Sequence, residues 1–476
     1  MVFRQLAKDS AIYGGADLVS KTINFFTFPF IAKALSPESF GFLELILTST
    51  ALLGVMGNFG LNNSLQRFYW DPEVQPSDRK ELVSSGLIAQ VLILSVLLVL
   101  AAGICLVFFP EVGTAYAFTW LGVFAALLLM AANQWTQYLL DVIRLQFRPW
   151  SFLTVSMISR VLSAVLGLIA VVYLGKGIDG LLGAQAVVVI LVLPVALFIV
   201  KNEFSIASFS KKWAKELLQY GYPFIFSALA YWIFTSQDRW MLASFSSVEE
   251  VGIYSVSFRF ASVILFVSAA FGQAWSPVAM KIRADHPESY PKIYGDVLMI
   301  LIFGMALIAG VIGLFSGEII HLLMGEEYLK SALPMVLLAF AIVFQASQQI
   351  TGIGISLEKR TILFAHLSWV TTVINFGLNW ILIPQYGALG ASWATAISYL
   401  FLTGSYFFFT QRFHPIKISY TRLTLILAMT FAVIFLSFWF YKPELFAVTI
   451  LIKIGLIFAF LGLGLSIIPL KNMKNV

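Results

Sequence analysis

Apolar stretches of about 20 residues, separated by short polar or Pro- and Gly-containing connections, follow one another along almost the whole chain. An apolar helix of about that length crosses the hydrocarbon core of a bilayer, because each residue adds about 1.5 Å. We therefore expect an all-α polytopic membrane protein with about 14 transmembrane helices. The predicted spans are approximately 10–33, 40–65, 82–109, 114–140, 150–174, 178–200, 217–245, 250–280, 294–323, 330–356, 361–383, 387–410, 421–441 and 445–469.

The lysine and arginine residues outside these spans are distributed unevenly. The N-terminus and every second connection contain most of them, whereas the alternate connections contain only Lys33, Lys176, Lys330 and Lys442. Basic residues accumulate on the cytoplasmic side of membrane proteins. The distribution predicts that both termini face the cytoplasm. It also supports the number of spans, since one missed helix would disrupt the alternation.

Four short motifs of the first half recur in the second half at an offset of about 210 residues. The matched pairs are Tyr13-Gly14 with Tyr220-Gly221, Gly41 with Gly252, Phe59-Gly60 with Phe271-Gly272, and Gly177-x-x-Gly180 with Gly387-x-x-Gly390. Each half contains six predicted helices, so both halves share one orientation and are related by an axis along the membrane normal. We expect a six-helix lobe at 1–205, a second lobe at 206–412 and two additional helices at 413–476.

Composition narrows the class of function. Hydrophobic residues make up 60% of the chain and charged residues 11%, and the single cysteine, Cys105, lies in an apolar stretch where it offers no disulfide or thiol metal site. The connections are short, and none contains the paired carboxylates or motifs that a membrane glycosyltransferase or polymerase would need. We expect a transporter rather than an enzyme, with no cofactor, no metal and no nucleic-acid partner.

Five basic residues lie within the predicted spans. Because a charge in hydrocarbon costs at least a few kcal/mol, such residues usually face a protein interior or a watery cavity. A charge in such a place marks a candidate substrate route, so we predict that the first four of the five bind substrate. The five are Lys21, Arg160, Arg239, Arg259 and Lys453.

Ion pairing is the alternative interpretation for two of these bases. Asp17 precedes Lys21 by one helical turn, and Asp238 is adjacent to Arg239. Each of the two acids is a candidate for a structural ion pair or for a coupling-ion site. Lys453 lies near the outer end of its span, where we expect its side chain to snorkel outward.

Polar side chains also recur at helical spacing in several spans. Hydroxyls and amides can bind sugar hydroxyls, because each both donates and accepts hydrogen bonds. We expect most of them to form hydrogen bonds between helices and a minority to line a lumen. The main stripes are Asn133, Gln137, Asp141 and Arg144; Ser255, Arg259 and Ser262; and Ser368, Thr372, Asn375 and Asn379.

Several separated motifs resemble one known family. They are SPESFGFLELI after the first span, YGYPF at the seventh, the DR pair, VGIYSVSFRFA, and PQYGALGASWATAISY at the twelfth. Together they resemble the polysaccharide transporter (O-antigen flippase-like) family of the multidrug/oligosaccharidyl-lipid/polysaccharide exporter superfamily. The resemblance implies a two-lobed bundle with two extra helices that moves a polyprenyl-pyrophosphate-linked oligosaccharide across the cytoplasmic membrane.

Alternative functions remain open at this point. A cation-coupled exporter of amphipathic drugs would need acids in its cavity, whereas the embedded acids are few, chiefly Asp17, Glu44 and Asp238. Lipid II flippases share the number of helices, but their arginine-rich cytoplasmic motifs do not occur here, and a membrane glycan polymerase lacks its catalytic loop. We expect a flippase for cell-surface polysaccharide export by alternating access. Its expected partners are the lipid-linked oligosaccharide, membrane lipids, Na⁺ or H⁺ as coupling ion, and polysaccharide-assembly proteins.

Overall fold

The computed structural model describes residues 2–112, 116, 118–443 and 447–468, with side chains except those of 2–11, 17, 108–112, 361 and 447. Every element of secondary structure in this part of the chain is helical. The expectation of an all-α fold is therefore confirmed.

Long helices dominate the first half of the described chain. A π-helical turn, Ile169–Tyr173, extends the sixth helix, and a 3₁₀ turn, Ile206–Ser208, precedes the eighth. The helices are α1 (Val2–Ala34), α2 (Pro37–Asn58), α3 (Leu61–Phe68), α4 (Asp78–Val112), α5 (Trp120–Leu145), α6 (Pro149–Leu168), α7 (Gly177–Ile199) and α8 (Lys211–Phe245).

The second half of the described chain contains several spans that are divided into two helical pieces. A 3₁₀ helix, Glu326–Ser331, precedes α13. The helices are α9 (Val248–Ala261), α10 (Val263–Asp285), α11 (Tyr290–Leu314), α12 (Ser316–Leu323), α13 (Ala332–Thr351), α14 (Ile353–Leu357), α15 (Thr361–Phe413), α16 (Tyr420–Trp439) and α17 (Ala447–Ile467).

The long helix α15 is broken at Gly387, where φ is 52° and ψ is −131°. Only glycine adopts this backbone conformation without strain. Oε2 of Glu250 accepts a hydrogen bond from the backbone N–H of Ala388 at 2.7 Å, so a carboxylate caps the second part of α15. The break coincides with the predicted boundary between the eleventh and twelfth spans.

Among the described residues, eleven helical stretches are long and apolar enough to cross a membrane. The chain is therefore a multi-pass membrane protein. One of the eleven stretches is the whole of α15 beyond its first residue, which the sequence divides into two spans. The number of 14 spans stays a prediction.

The chain divides into two compact units, Met1–Ser236 and Gln237–Val476. The boundary lies within α8, whereas the sequence places it at 205, before that helix begins. The three-part division and the symmetry between two six-helix lobes stay predictions.

Two motifs that match between the halves begin helices in the same way. The hydroxyl of Ser36 accepts a hydrogen bond from the N–H of Ser39 at 3.2 Å, and the hydroxyl of Ser247 accepts one from the N–H of Glu250 at 3.2 Å. Each serine therefore caps the N-terminus of its helix, α2 or α9. Gly177, which the sequence matches with Gly387, likewise has a positive φ, of 55°. The sequence repeat corresponds to repeated local structure at these places.

The turn between α2 and α3 packs directly against α8 within the first unit. A β-carbon on Gly60 would lie 2.1 Å from the carbonyl oxygen of Gly221, so this approach requires glycine. The hydroxyl of Ser64 donates a hydrogen bond to the carbonyl oxygen of Leu217 at 2.7 Å. The YGYPF motif is thereby fixed against α3. Gly272, the matched residue of the second half, lies inside α10 and does not repeat this turn.

A buried ion pair connects α17 with α12 in the second unit. Nζ of Lys453 lies 2.6 Å from Oε1 of Glu318 and 2.8 Å from the carbonyl oxygen of Phe440. Lys453 is 0% exposed and Glu318 is 5% exposed. The expectation that Lys453 snorkels outward is therefore wrong. Its partner lies 135 residues away, and local spacing along the chain does not indicate such a pair.

Candidate functional site

The predicted pair of Asp238 and Arg239 lies buried in α8. Nη1 of Arg239 is 3.3 Å from Oδ1 of Asp238, and the backbone N–H of Arg239 donates to the same oxygen at 2.9 Å. The two residues are 7% and 8% exposed. The acid thus compensates the charge of the adjacent base, which is the ion-pair interpretation of this motif.

Two further helices complete this site, which we call the Asp238 cluster: Asp238, Arg239, Tyr254 and Thr395. The hydroxyl of Tyr254, from α9, donates a hydrogen bond to Oδ2 of Asp238 and lies 3.2 Å from the hydroxyl of Thr395, from α15. The guanidinium carbon of Arg239 lies 5.7 Å from the centroid of the Tyr254 ring and 5.5 Å from that of Phe258. The cluster is a compact polar group inside the second unit.

A network of amide side chains is formed by residues of α8 and α15, two of the three helices that form the Asp238 cluster. Nε2 of Gln237 donates to Oδ1 of Asn375 at 2.7 Å, and Nδ2 of Asn379 donates to the same oxygen at 3.0 Å. Nδ2 of Asn375 donates to the hydroxyl of Ser398 at 3.1 Å. All four residues are buried. The predicted stripe at Asn375 and Asn379 therefore forms hydrogen bonds between α8 and the two parts of α15.

Sequence reasoning missed four members of these groups, namely Gln237, Tyr254, Thr395 and Ser398. Each lies in or beside a motif that carries the family resemblance: Gln237 directly precedes the DR pair, Tyr254 lies in VGIYSVSFRFA, and both Thr395 and Ser398 lie in PQYGALGASWATAISY. A polar residue inside an otherwise apolar motif was the available signal.

The other predicted substrate-binding bases lie on three different helices. In the first unit, Lys21 is exposed on α1 and Arg160 is half-buried on α6, and these two helices pack against each other. In the second unit, Arg259 is half-buried on α9. The side chain of Asp17 lies outside the described residues, so its pairing with Lys21 stays a prediction.

Another buried carboxylate, Asp141, lies in the first unit. Its Oδ2 accepts a hydrogen bond from Nδ2 of Asn62 at 2.7 Å, and its Oδ1 accepts one from Nε2 of Gln137 at 3.3 Å. Nη1 of Arg144 lies 3.7 Å from Oδ1. The sequence analysis identified Gln137, Asp141 and Arg144 as one stripe, whereas Asn62, from α3, was missed.

The described side chains contain no group of three or more His, Cys, Asp or Glu residues that could hold a metal ion. The chemistry available here is that of hydrogen bonds and fixed charges in a low-dielectric interior. Such an arrangement can bind and conduct charged or polar groups.

Comparison with known proteins assigns the family. A family model described as "Polysaccharide biosynthesis protein" matches residues 6–283, more than half of the chain, and one described as "MatE" matches residues 223–381. The probable low-salt glycan biosynthesis flippase Agl15 of Haloferax volcanii is 21% identical over 420 residues, covering 88% of this chain and 86% of the relative. The succinoglycan biosynthesis transport protein ExoT of Rhizobium meliloti is 29% identical over 259 residues, covering 52% of this chain and 49% of the relative.

Among solved structures, the lipid II flippase MurJ in an inward closed conformation superposes with a TM-score of 0.70 at 18% identity, covering 95% of this chain and 98% of that chain. This likeness concerns the fold. The relatives named above are a flippase and a transport protein, which confirms the expectation of a non-enzymatic protein. The chain belongs to the polysaccharide biosynthesis protein family of the multidrug/oligosaccharidyl-lipid/polysaccharide exporter superfamily, as the resemblance of its motifs implied.

Proposed function

We propose that this protein is a flippase that translocates a polyprenyl-pyrophosphate-linked oligosaccharide across the cytoplasmic membrane by alternating access, for cell-surface polysaccharide export. The observation that carries this proposal is the match along most of the chain to a relative named as a glycan biosynthesis flippase. The all-helical, multi-pass fold supports it, because such a bundle can enclose a polar route through a bilayer.

The embedded bases supply the chemistry that this cargo needs. A pyrophosphate crossing a low-dielectric layer loses its hydration, and an unpaired ion there costs several kcal/mol. Lys21 is exposed, whereas Arg160 and Arg259 are half-buried, and these are the three bases that we propose contact an anionic headgroup. Arg239 is buried against Asp238, so it would reach the cargo only in another conformation.

The Asp238 cluster is our candidate for coupling to Na⁺ or H⁺, with Asp17 as the second candidate acid. A carboxylate surrounded by hydroxyls and an arginine can exchange its partners when a cation or proton binds, which would bias one packing of α8, α9 and α15 over another. Asp238→Asn keeps the shape but removes the charge. We expect the variant to transport at a rate that no longer responds to a Na⁺ or pH gradient, and an unchanged response would refute this assignment.

We further propose that both termini face the cytoplasm. The uneven distribution of lysine and arginine supports this orientation. Reporter fusions after Lys212 and after Ser247 should report opposite sides of the membrane. Fusions that report the same side would contradict the orientation and the number of spans.

A drug exporter is the second candidate, because the MatE family model matches residues 223–381. The two functions differ in a cellular experiment. Loss of a glycan flippase should leave lipid-linked oligosaccharide on the cytoplasmic leaflet and remove the surface polysaccharide, without changing sensitivity to cationic drugs. Increased drug sensitivity with normal surface polysaccharide would instead favour the exporter.

The same experiment separates two further alternatives. Loss of a lipid II flippase would stop peptidoglycan synthesis, and loss of a polymerase would leave single repeat units that have already been translocated.

A further inference from the structure

The end of α5 presents an arginine whose guanidinium is held from several sides. Arg144 lies in the last turn of that helix, with Nη1 3.7 Å from Oδ1 of Asp141. Its guanidinium carbon lies 4.9 Å from the ring centroid of Phe152 and 5.7 Å from that of Tyr13. These two rings contact each other edge to face at 5.0 Å. Arg144 therefore has a defined position between α1, α5 and α6.

The carboxylate beside Arg144 is occupied by other donors. Asn62 and Gln137 donate hydrogen bonds to the two oxygens of Asp141, and Nδ2 of Asn58 donates to Oδ1 of Asn62 at 2.9 Å. The 3.7 Å contact to Arg144 is longer than a hydrogen bond. Asp141 thus orients the guanidinium electrostatically without using up its N–H donors.

Exposure differs sharply across this pair. The side chain of Arg144 is 45% exposed, whereas that of Asp141 is 5% exposed. Nη1 of the guanidinium lies on the side of the buried carboxylate, while almost half of the arginine side chain stays accessible. A planar guanidinium fixed in this way matches the oxygens of a phosphate, to which it can donate two parallel hydrogen bonds.

We propose that Arg144 is a phosphate-capture residue that contacts the pyrophosphate of the lipid-linked glycan at the cytoplasmic end of α5. Asp141, Phe152 and Tyr13 are the positioning residues that hold it. The inference rests on the proposed function and on the proposed orientation, in which the distribution of basic residues puts this end of α5 on the cytoplasmic side. A phospholipid headgroup offers the same chemistry, so the experiment must separate the two sources.

The test uses the full-length protein in nanodiscs of neutral phosphatidylcholine, titrated with farnesyl pyrophosphate as the probe and with farnesol as the phosphate-free control. Arg144→Ala should weaken binding of farnesyl pyrophosphate about tenfold or more, as expected for the loss of a charged hydrogen bond, and should leave farnesol unaffected. The affinity of Arg144→Lys for farnesyl pyrophosphate should fall between those of the unmodified protein and Arg144→Ala, because lysine keeps the charge but loses the planar fork.

Arg67→Ala is the matched control, since it removes the same charge on the same predicted side. Arg67 is ion-paired with Asp71 one turn later. The backbone N–H of Glu73 and the Arg67 guanidinium lower the pKa of Asp71, so this acid stays ionised and keeps Arg67 engaged. Arg67→Ala should bind farnesyl pyrophosphate like the unmodified protein.

Three outcomes would overturn the proposal. Unchanged binding of farnesyl pyrophosphate by a folded Arg144→Ala variant would exclude the site. An equal loss of farnesyl pyrophosphate binding in Arg67→Ala would show that the effect comes from the overall surface charge and not from a specific site. If Arg144→Ala loses bound phosphatidylglycerol in anionic nanodiscs but still binds farnesyl pyrophosphate, Arg144 binds a membrane lipid and not the cargo.

Transport by the unmodified protein tests the proposed function separately. If the unmodified protein flips lipid-linked glycan while Arg144→Ala binds and flips it normally, only the present inference fails.

Discussion

Nζ of Lys453 and Oε1 of Glu318 lie 2.6 Å apart inside the second unit, although Glu318 lies in α12 and Lys453 lies 135 residues later in α17. Both are almost completely shielded from the surroundings. Desolvation makes such a pair costly to form and more costly to break, because removal of one partner leaves an isolated buried charge.

The first prediction concerns this pair. Lys453→Met and Glu318→Gln should each destabilise the protein by about 3–5 kcal/mol, seen as a lower unfolding temperature in detergent. The double variant Lys453→Met with Glu318→Leu should recover most of the loss, since it leaves no unpaired charge. Single variants that unfold at the temperature of the unmodified protein would show that the pair contributes little.

A second prediction concerns the hydrogen bond from Tyr254 to Asp238. Tyr254→Phe removes the hydroxyl and leaves a buried carboxylate oxygen without that donor, so we expect a loss of about 1–3 kcal/mol in the free energy of unfolding. Tyr386→Phe is the matched control, because Tyr386 is 56% exposed on α15. Equal stability of the two variants would mean that the Asp238 cluster does not depend on this hydroxyl.

The close approach of α3 to α8 yields a third prediction. A β-carbon on Gly221 would lie 2.5 Å from the carbonyl oxygen of Phe59, and backbone atoms cannot move aside as a flexible side chain can. Gly221→Ala should therefore lower stability by about 1–3 kcal/mol, the usual cost of overpacking. Gly404→Ala, at a position with open space around it, should leave the unfolding temperature unchanged. A tolerated Gly221→Ala would argue against this packing.

A fourth prediction tests the embedded bases as a cationic route. Arg160→Ala and Arg259→Ala should each reduce translocation of lipid-linked glycan by at least about tenfold while the protein still inserts, because an uncompensated anion in the interior costs several kcal/mol. Lysine at either position should retain part of the activity. Lys330→Ala should have no effect, since Lys330 is exposed and paired with Glu249 at 3.0 Å. Normal rates in both alanine variants would assign these arginines to structural contacts.

Local features could be predicted from the sequence, whereas pairs between distant segments could not. Helix caps such as Ser36 and Ser247 depend on residues three positions away, and the pairing of Asp238 with Arg239 depends on adjacent residues. Spacing along one helix indicates both kinds of contact.

Contacts between distant helices require knowledge of how those helices pack. Tyr254 and Thr395 join Asp238 from two other helices, and Glu318 meets Lys453 across 135 residues. We expected Lys453 to snorkel outward because it lies near the end of a span. That expectation is wrong because the Glu318 carboxylate and the backbone carbonyl of Phe440 replace water around its ammonium group.

The most direct test of the central claim is a leaflet-exchange measurement in proteoliposomes that contain only this protein and a fluorescent polyprenyl-pyrophosphate-linked oligosaccharide. The proposed flippase should make the label on the inner leaflet accessible to an externally added quencher much faster than protein-free vesicles do, and faster than vesicles with Arg160→Ala. A rate equal to that of protein-free vesicles, in the presence of either a Na⁺ or a pH gradient, would contradict the account.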